Sequence, residues 1–197
     1  MKSLIGRFPF FPSARSKTPD APPLPAPSSA REWPSPVLRW VGPDESIALR
    51  ALEWEHDADF ICGWQRETYA INFPDFKLSL EFSGAFRNDL RRAFLDGNHA
   101  LWMLDDPKSA PCGFIWVVLC TNSWTNERYG YVNNLFIEGS HRGQHLGEDL
   151  LEYAAGWFRA RKVEKLRLTV TGSNSSAVRL YERAGFTVER LEMERDL

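Results

Sequence analysis

The residues best placed to do chemistry in this chain are Arg142-Gly143-Gln144-His145-Leu146-Gly147. They follow an apolar, β-branched run, Tyr131 to Ile137, that breaks at Glu138-Gly139-Ser140. After them Leu146, Leu150, Ala154 and Phe158 recur about every four residues, on one helical stripe. A strand, a tight turn and a helix start make a place to hold an anion. The first N–H groups of a helix have no internal partner, and the peptide dipoles add partial positive charge there. The two glycines let a ligand approach the backbone with no Cβ in the way. Two further residues stand out. Tyr181 shares a helical face with Ala177, Leu180 and Ala184, which turns its ring inward. It is either an acid–base group or a core tyrosine with a satisfied hydroxyl, and the spacing fits both. Asn174, seven residues earlier, has the side chain to cap that helix.

The stretch from Arg142 to Gly147 resembles the acyl-CoA-binding signature of the GNAT superfamily of N-acetyltransferases, Arg/Gln-x-x-Gly-x-Gly/Ala. His145 stands where that pattern has its middle glycine. Only backbone donation is asked of it, with φ below zero or a tolerated left-handed conformation. A second block strengthens the likeness. The strand K-L-R-L-T-V-T (165–171) and the residues that follow it are similar to the family's Asn-x-x-Ala-x-x-x-Tyr-x-x-x-Gly-Phe ending, here Asn174 to Phe186. The resemblance implies acetyl-CoA as co-substrate and acetyl transfer to a primary amine of a small molecule or peptide. It also implies that the N–H groups of Arg142, Gly143, Gln144, His145, Leu146 and Gly147 hold the pyrophosphate. Backbone groups of Leu135, Phe136 and Ile137 would pair with the pantetheine arm, and Asn174 would lie near the cofactor. Tyr181 would face the sulfur as general acid.

Such a transfer needs an amine without its proton, a donor for the oxyanion and a proton for the departing thiolate. The base is where the sequence gives least. Related enzymes often carry a glutamate where this chain has Asn133 or Thr169, and neither titrates. His141, Glu67 or Glu127 could end a water chain instead; His141 has an unperturbed pKa near 6.5. The catalytic candidates are therefore Tyr181, Asn133 and His141. The missing carboxylate leaves a second reading, a non-catalytic acyl-CoA-binding regulatory domain. A third reading is an interaction module displayed by the N-terminal tail.

The elements that must position these groups read in order. Ser46 to Trp54 alternates as a strand, and helices follow to about Phe73 and from Leu78 to Leu95. His99 to Asp106 and Cys112 to Cys120 are strands; the second is apolar on both faces and belongs at the centre of a sheet. With the organising strand, its helix, the 165–171 strand, the last helix and a closing strand, the order is β-α-α-β-β-β-α-β-α-β. It matches an α/β (α+β) fold of the GNAT type, a mixed, mostly antiparallel twisted sheet of six or seven strands with helices on both faces.

Residues 1–44 carry ten of the thirteen prolines and read as a disordered tail, leaving 45–197 as the acetyltransferase domain. Trp33 and Trp40 are candidates to dock the end of that tail onto the domain. The first 19 residues hold four basic and no acidic side chains, so an organelle transit peptide is an alternative to a cytoplasmic location. Residues 45–197 hold 18 Lys/Arg against 23 Asp/Glu, an acidic balance that excludes nucleic acid as the main partner. No run of 18 apolar residues marks a transmembrane helix, so no membrane partner is expected. Cys62, Cys112 and Cys120 lack metal-ligand spacing, and no metal is expected. The chain is expected as a monomer or homodimer.

Overall fold

In a computed structural model, which describes residues 37–39, 46–72, 77, 79–193 and 195, six strands form one sheet in the order β1-β2-β3-β4-β5-β6. The strands are β1 (Val37–Arg39), β2 (Ser46–Ala51), β3 (His99–Asp105), β4 (Pro111–Thr121), β5 (Arg128–Ile137) and β6 (Leu166–Arg167). All neighbours are antiparallel except β5 and β6, which run parallel. The helices are α1 (Trp54–Asn72), α2 (Leu80–Leu95), α3 (Leu146–Arg159) and α4 (Ser175–Arg183).

β4 is apolar along both faces because both are covered. Ile115 and Val117 pack with Leu150, Ala154 and Phe158 of α3. Phe114 and Trp116 pack with Ile61 and Trp64 of α1 and with Phe86 and Leu90 of α2. The four residues of the α3 stripe are each at most 2 % exposed, so the helical period seen in the sequence is the core face. Burying one such leucine or phenylalanine contributes about 1.5–3 kcal/mol. Ser79 caps α2 by accepting from the N–H of Phe82 at 3.1 Å.

Arg50 ties β2, β3 and α1 together. It donates to both oxygens of the fully buried Asp57, at 2.6 and 2.8 Å, and also pairs with Asp105. These carboxylates, the Asp57 hydrogen bonds foremost, hold its guanidinium pKa above the ordinary value. Asp57 also accepts from the N–H of Glu53 at 2.7 Å, which fixes the entry into α1.

Three expectations change. Val37–Arg39 falls in the stretch read as tail, yet it pairs with β2 as the edge strand; the rest of that tail, with Trp33 and Trp40, lies outside the described residues. The strand read over 165–171 is reduced to Leu166–Arg167, because the parallel pairing with β5 ends at Tyr131. No strand closes the described chain after α4. Val188 and Leu191 are three residues apart, so no alternating face is apolar, and both remain exposed with Met193.

Candidate functional site

Two features of β5 build the site. The first is a bulge: Trp116 pairs with Asn134 and Val117 with Val132, so Asn133 is the extra residue. It resets the alternation. Val132, Leu135 and Ile137 all face the α3 cluster, while Phe136 faces α1 and α2. The second is the parting of β5 from β6. Only Gly130 and Tyr131 pair across that edge, so beyond Tyr131 the backbone of β5 on this side joins no strand among the described residues. One group there is engaged: the Ile137 carbonyl accepts from Arg142 Nε at 2.8 Å.

β5 runs into a 3-10 turn, Gly139–His141, and then into α3. Gly143 has φ +76° and His145, the N-cap of α3, has φ 64° and ψ 5°. His145 therefore takes the left-handed alternative. No side chain caps α3. The N–H groups of Gly143 to Gly147 donate to no backbone carbonyl outside the regular elements among the described residues. Gln144 holds the turn by donating from Nε2 to the Ser140 carbonyl at 3.1 Å. Glu148 in the first helical turn is met by Arg183 of α4 at 2.8 Å and by His145 at 3.5 Å. Its repulsion of an incoming anion is thereby offset. Arg183 is thus committed to α3, and Arg179 is exposed.

Gly147 also has a packing role beside the one the motif suggests. A Cβ there would meet Leu180 Cδ2 at 2.9 Å, so this glycine lets α3 and α4 pack closely.

In the gap between β5 and the segment after β6, Tyr131 donates to or accepts from Thr169 Oγ1 at 3.0 Å. Tyr181 lies beside it, edge-on to Phe186 with ring centroids 5.9 Å apart. Burial, with Tyr131 adding to it, pushes the Tyr181 pKa up to about 12. Its hydroxyl has no hydrogen-bond partner among the described residues, although the residue is only half-buried. A tyrosine kept for packing usually satisfies its hydroxyl. The Tyr181 hydroxyl is not among the buried side-chain atoms left without a partner, so solvent reaches it. Asn174 does cap α4, accepting from the N–H of Ala177 at 3.3 Å.

The candidate bases are otherwise occupied. His141 uses both ring nitrogens, Nδ1 with Ser140 Oγ at 2.8 Å and Nε2 with Asp106 Oδ2 at 3.1 Å. Glu67 pairs with Arg142 at 2.7 Å. Glu127 pairs with Lys165 at 2.7 Å and Arg167 at 3.3 Å, and those cations, Lys165 first, hold its pKa down. Asn133 sits at the bulge, half-buried, with no hydrogen-bond partner among the described residues.

The opposite face of β5 carries residues that sequence reasoning did not single out. Asn134 Nδ2 donates to the buried Gln65 Oε1 at 2.6 Å, and Trp64 Nε1 donates to Glu138 Oε1 at 2.5 Å. Trp64 stacks on Phe136 at 5.2 Å, and Arg142 covers the same ring at 5.4 Å. Tyr131 was likewise missed. No spacing marks these residues, because the bulge decides which face each one takes.

Comparison with known proteins agrees with this geometry. The model of the Acetyltransferase (GNAT) family matches residues 49–186. A mycothiol acetyltransferase of Amycolatopsis mediterranei is 24 % identical over 173 residues, covering 83 % of this chain and 52 % of the relative. The chain thus spans about half the length of that curated relative. Among solved structures, a GCN5-related N-acetyltransferase from Ralstonia eutropha superposes with a TM-score of 0.62 at 21 % identity, covering 77 % of this chain and 98 % of the other. A predicted acetyltransferase from Clostridium acetobutylicum, solved with acetyl-CoA, gives a TM-score of 0.62 at 15 % identity, with 75 % and 96 % covered. These two show the fold. With an open helix N-terminus at the end of a parting strand, and a family match over more than half its length, the chain belongs to the acetyltransferase (GNAT) family.

Proposed function

We propose that this chain is an N-acetyltransferase that uses acetyl-CoA and a primary amine of a small molecule or peptide. The observation that supports it best is the parting of β5 from β6 beyond Tyr131, on the strand that runs into the uncapped N-terminus of α3. These features suit acetyl-CoA. The N–H groups of Gly143 to Gly147 suit a pyrophosphate. The β5 edge between Val132 and Ile137 offers backbone donors and acceptors to an extended amide-containing arm. The thioester supplies an acyl group on a leaving thiolate.

The residues then divide the work. Tyr181 keeps its proton throughout the physiological range, since its pKa is raised to about 12, and donates a hydrogen bond toward the leaving sulfur. Asn133, at the bulge two residues beyond Tyr131, carries an amide with no hydrogen-bond partner among the described residues, which can orient the acceptor. His141, Glu67 and Glu127 are each paired elsewhere, so in this reading the amine enters as the free base and its proton passes to solvent. Trp64, Gln65, Asn134 and Glu138 form the wall on the α1 side of β5 and set the shape that an acceptor meets.

The test is thiol release from acetyl-CoA over a panel of amines, with products identified by mass spectrometry. Amine-dependent release with a product 42 mass units heavier, the mass of an added acetyl group, is expected. Binding seen as a raised melting temperature, without turnover on any amine, would favour the regulatory reading; no binding at millimolar cofactor would refute both.

A further inference from the structure

The turn that opens α3 is held in a costly shape by few contacts. Within three positions Gly143 has φ +76° and His145 has φ 64°. A left-handed backbone strains a residue that carries a Cβ, and it lasts only where its surroundings over-determine it. Along the segment itself Arg142 Nε donates to the Ile137 carbonyl and Gln144 Nε2 to the Ser140 carbonyl. Two bonds fasten the segment to the β3–β4 hairpin. The Glu138 N–H meets the Cys112 carbonyl at 2.8 Å, and His141 Nε2 meets Asp106 Oδ2 at 3.1 Å.

The Asp106 end of the second bond is fixed. In the turn between β3 and β4, Asp106 Oδ1 accepts from the Lys108 N–H at 2.9 Å and Oδ2 from Ser109 Oγ at 3.0 Å. The Lys108 bond foremost, with that of His141 next, holds the Asp106 pKa below its ordinary value, so the carboxylate stays an acceptor. His141 Nε2 therefore carries the hydrogen, and Nδ1 of the neutral ring accepts from the Ser140 hydroxyl at 2.8 Å. The carbonyl of the same serine receives the Gln144 side chain, so a line of bonds runs from Asp106 through His141 and Ser140 into the turn. The His141 and Asp106 side chains are each 18 % exposed, which limits competition from water. Protonating the ring breaks none of these bonds. Nδ1 then donates to Ser140 Oγ, the bond to Asp106 becomes an ion pair, and a positive charge is added beside the turn. The charged groups around the ring are Asp106 and Lys108 of the hairpin turn, Glu138 and Arg142 of its own segment, and Glu67 of α1. The Cys112 thiol, pushed up to about 12 chiefly by burial, stays neutral among them. His145, in the turn itself, is a second imidazole whose effect a comparison chain has to subtract.

We infer that His141 is a positioning residue for the cofactor: through Asp106 it fastens the Gly139–Gly147 segment to the β3–β4 turn, and its protonation tightens the hold on the coenzyme's phosphates. The inference rests on the acetyl-CoA reading above. It gives His141 a task other than that of a base, and it explains how a chain with histidine at the motif's middle glycine keeps the turn in shape.

Two measurements on the full-length chain test it, one of them without cofactor. Ring-nitrogen NMR shifts at pH 8 should show His141 as the Nε2–H tautomer, and Asp106→Ala should lose that preference. Titration with coenzyme A at pH 8 should give a dissociation constant about five- to tenfold higher for His141→Ala, the scale of one or two lost hydrogen bonds. The KM for acetyl-CoA should rise alike while kcat at saturation stays within about twofold. From pH 8 to pH 5.5, the range in which histidines ordinarily change charge, the unaltered chain should tighten about threefold more than His141→Gln, whose amide can donate to Asp106 but does not titrate. An Nδ1–H tautomer, an unchanged dissociation constant in His141→Ala, or the same pH response in both chains would overturn the proposal. Coenzyme A that fails to bind the unaltered chain would refute the acetyl-CoA reading as well, whereas coenzyme A that binds every chain alike would overturn the role of His141 alone.

Discussion

Replacing Tyr181 by phenylalanine removes one oxygen and keeps the ring, its edge contact with Phe186 and its packing on the main core cluster. Since the hydroxyl has no hydrogen-bond partner among the described residues, its loss breaks no hydrogen bond among them. Stability should therefore hold or rise slightly, whereas a tyrosine bonded in the core would lose about 1 kcal/mol. The rate is bounded from the pKa. At about 12, Tyr181 is a weaker acid than a thiol of pKa near 8.5, so complete proton transfer to the sulfur is uphill. Its contribution is then the hydrogen bond to developing negative charge, worth about 1.5–3 kcal/mol. At about 1.4 kcal/mol per factor of ten, turnover should fall roughly 10- to 100-fold. Initial rates of thiol release at saturating acetyl-CoA and amine measure this, with cofactor affinity titrated separately and expected to be unchanged. Full activity in the variant would refute the role, and so would a melting temperature several degrees lower, which would reveal a structural partner for the hydroxyl.

Asp57→Ala leaves Arg50 without the partner that receives two of its hydrogen bonds, and should destabilise the fold by about 3–5 kcal/mol in urea titration. Gly147→Val drives a branched side chain into Leu180, so both the fold and cofactor binding should weaken, the former by about 1–3 kcal/mol in the same assay. For the pH dependence, no group in the gap titrates between pH 6 and 10 if Tyr181 stays protonated up to about 12. The logarithm of kcat/KM should then climb with unit slope to the pKa of the acceptor amine and show no fall below pH 10. Two acceptors of different pKa decide it: an inflection that stays fixed between them would reveal a base on the protein.

How much of this was legible in the chain depended on whether a feature was local. The α3 stripe, the Asn174 cap and the Gly143–Gly147 turn are set by residues a few positions apart, and the structure places them as read. The two-faced burial of β4 was legible for the same reason, as an unbroken apolar run has to be covered on both sides. Pairing partners were not. That Val37–Arg39 finds β2, and that residues 187–193 find no strand, depends on which sheet edge is free, and no local pattern encodes it. Gly147 shows the same limit: the motif suggests a close ligand, and the packing of its Cα face against Leu180, 33 positions away, is a second constraint that no local pattern encodes.

The bulge at Asn133 explains why the acceptor side was the least legible part. In a regular strand, Asn133 would share a face with Leu135 and Ile137, and Val132 with Phe136. The extra residue breaks that rule, so Val132 joins Leu135 and Ile137 on the α3 side. The residue it inserts, Asn133, is polar, half-buried and without a hydrogen-bond partner among the described residues. Period-two reading cannot find that arrangement, and a search for a titrating residue passes over it because asparagine does not titrate. What the bulge supplies instead is geometry. With His141, Glu67 and Glu127 each committed to another partner, the proposed function assigns rate enhancement at this site mainly to holding a neutral amine in line with the acyl carbon. Such a site suits acceptors that carry an appreciable fraction of free base at the working pH. Weakly basic amines should therefore be acetylated faster than strongly basic ones of similar shape.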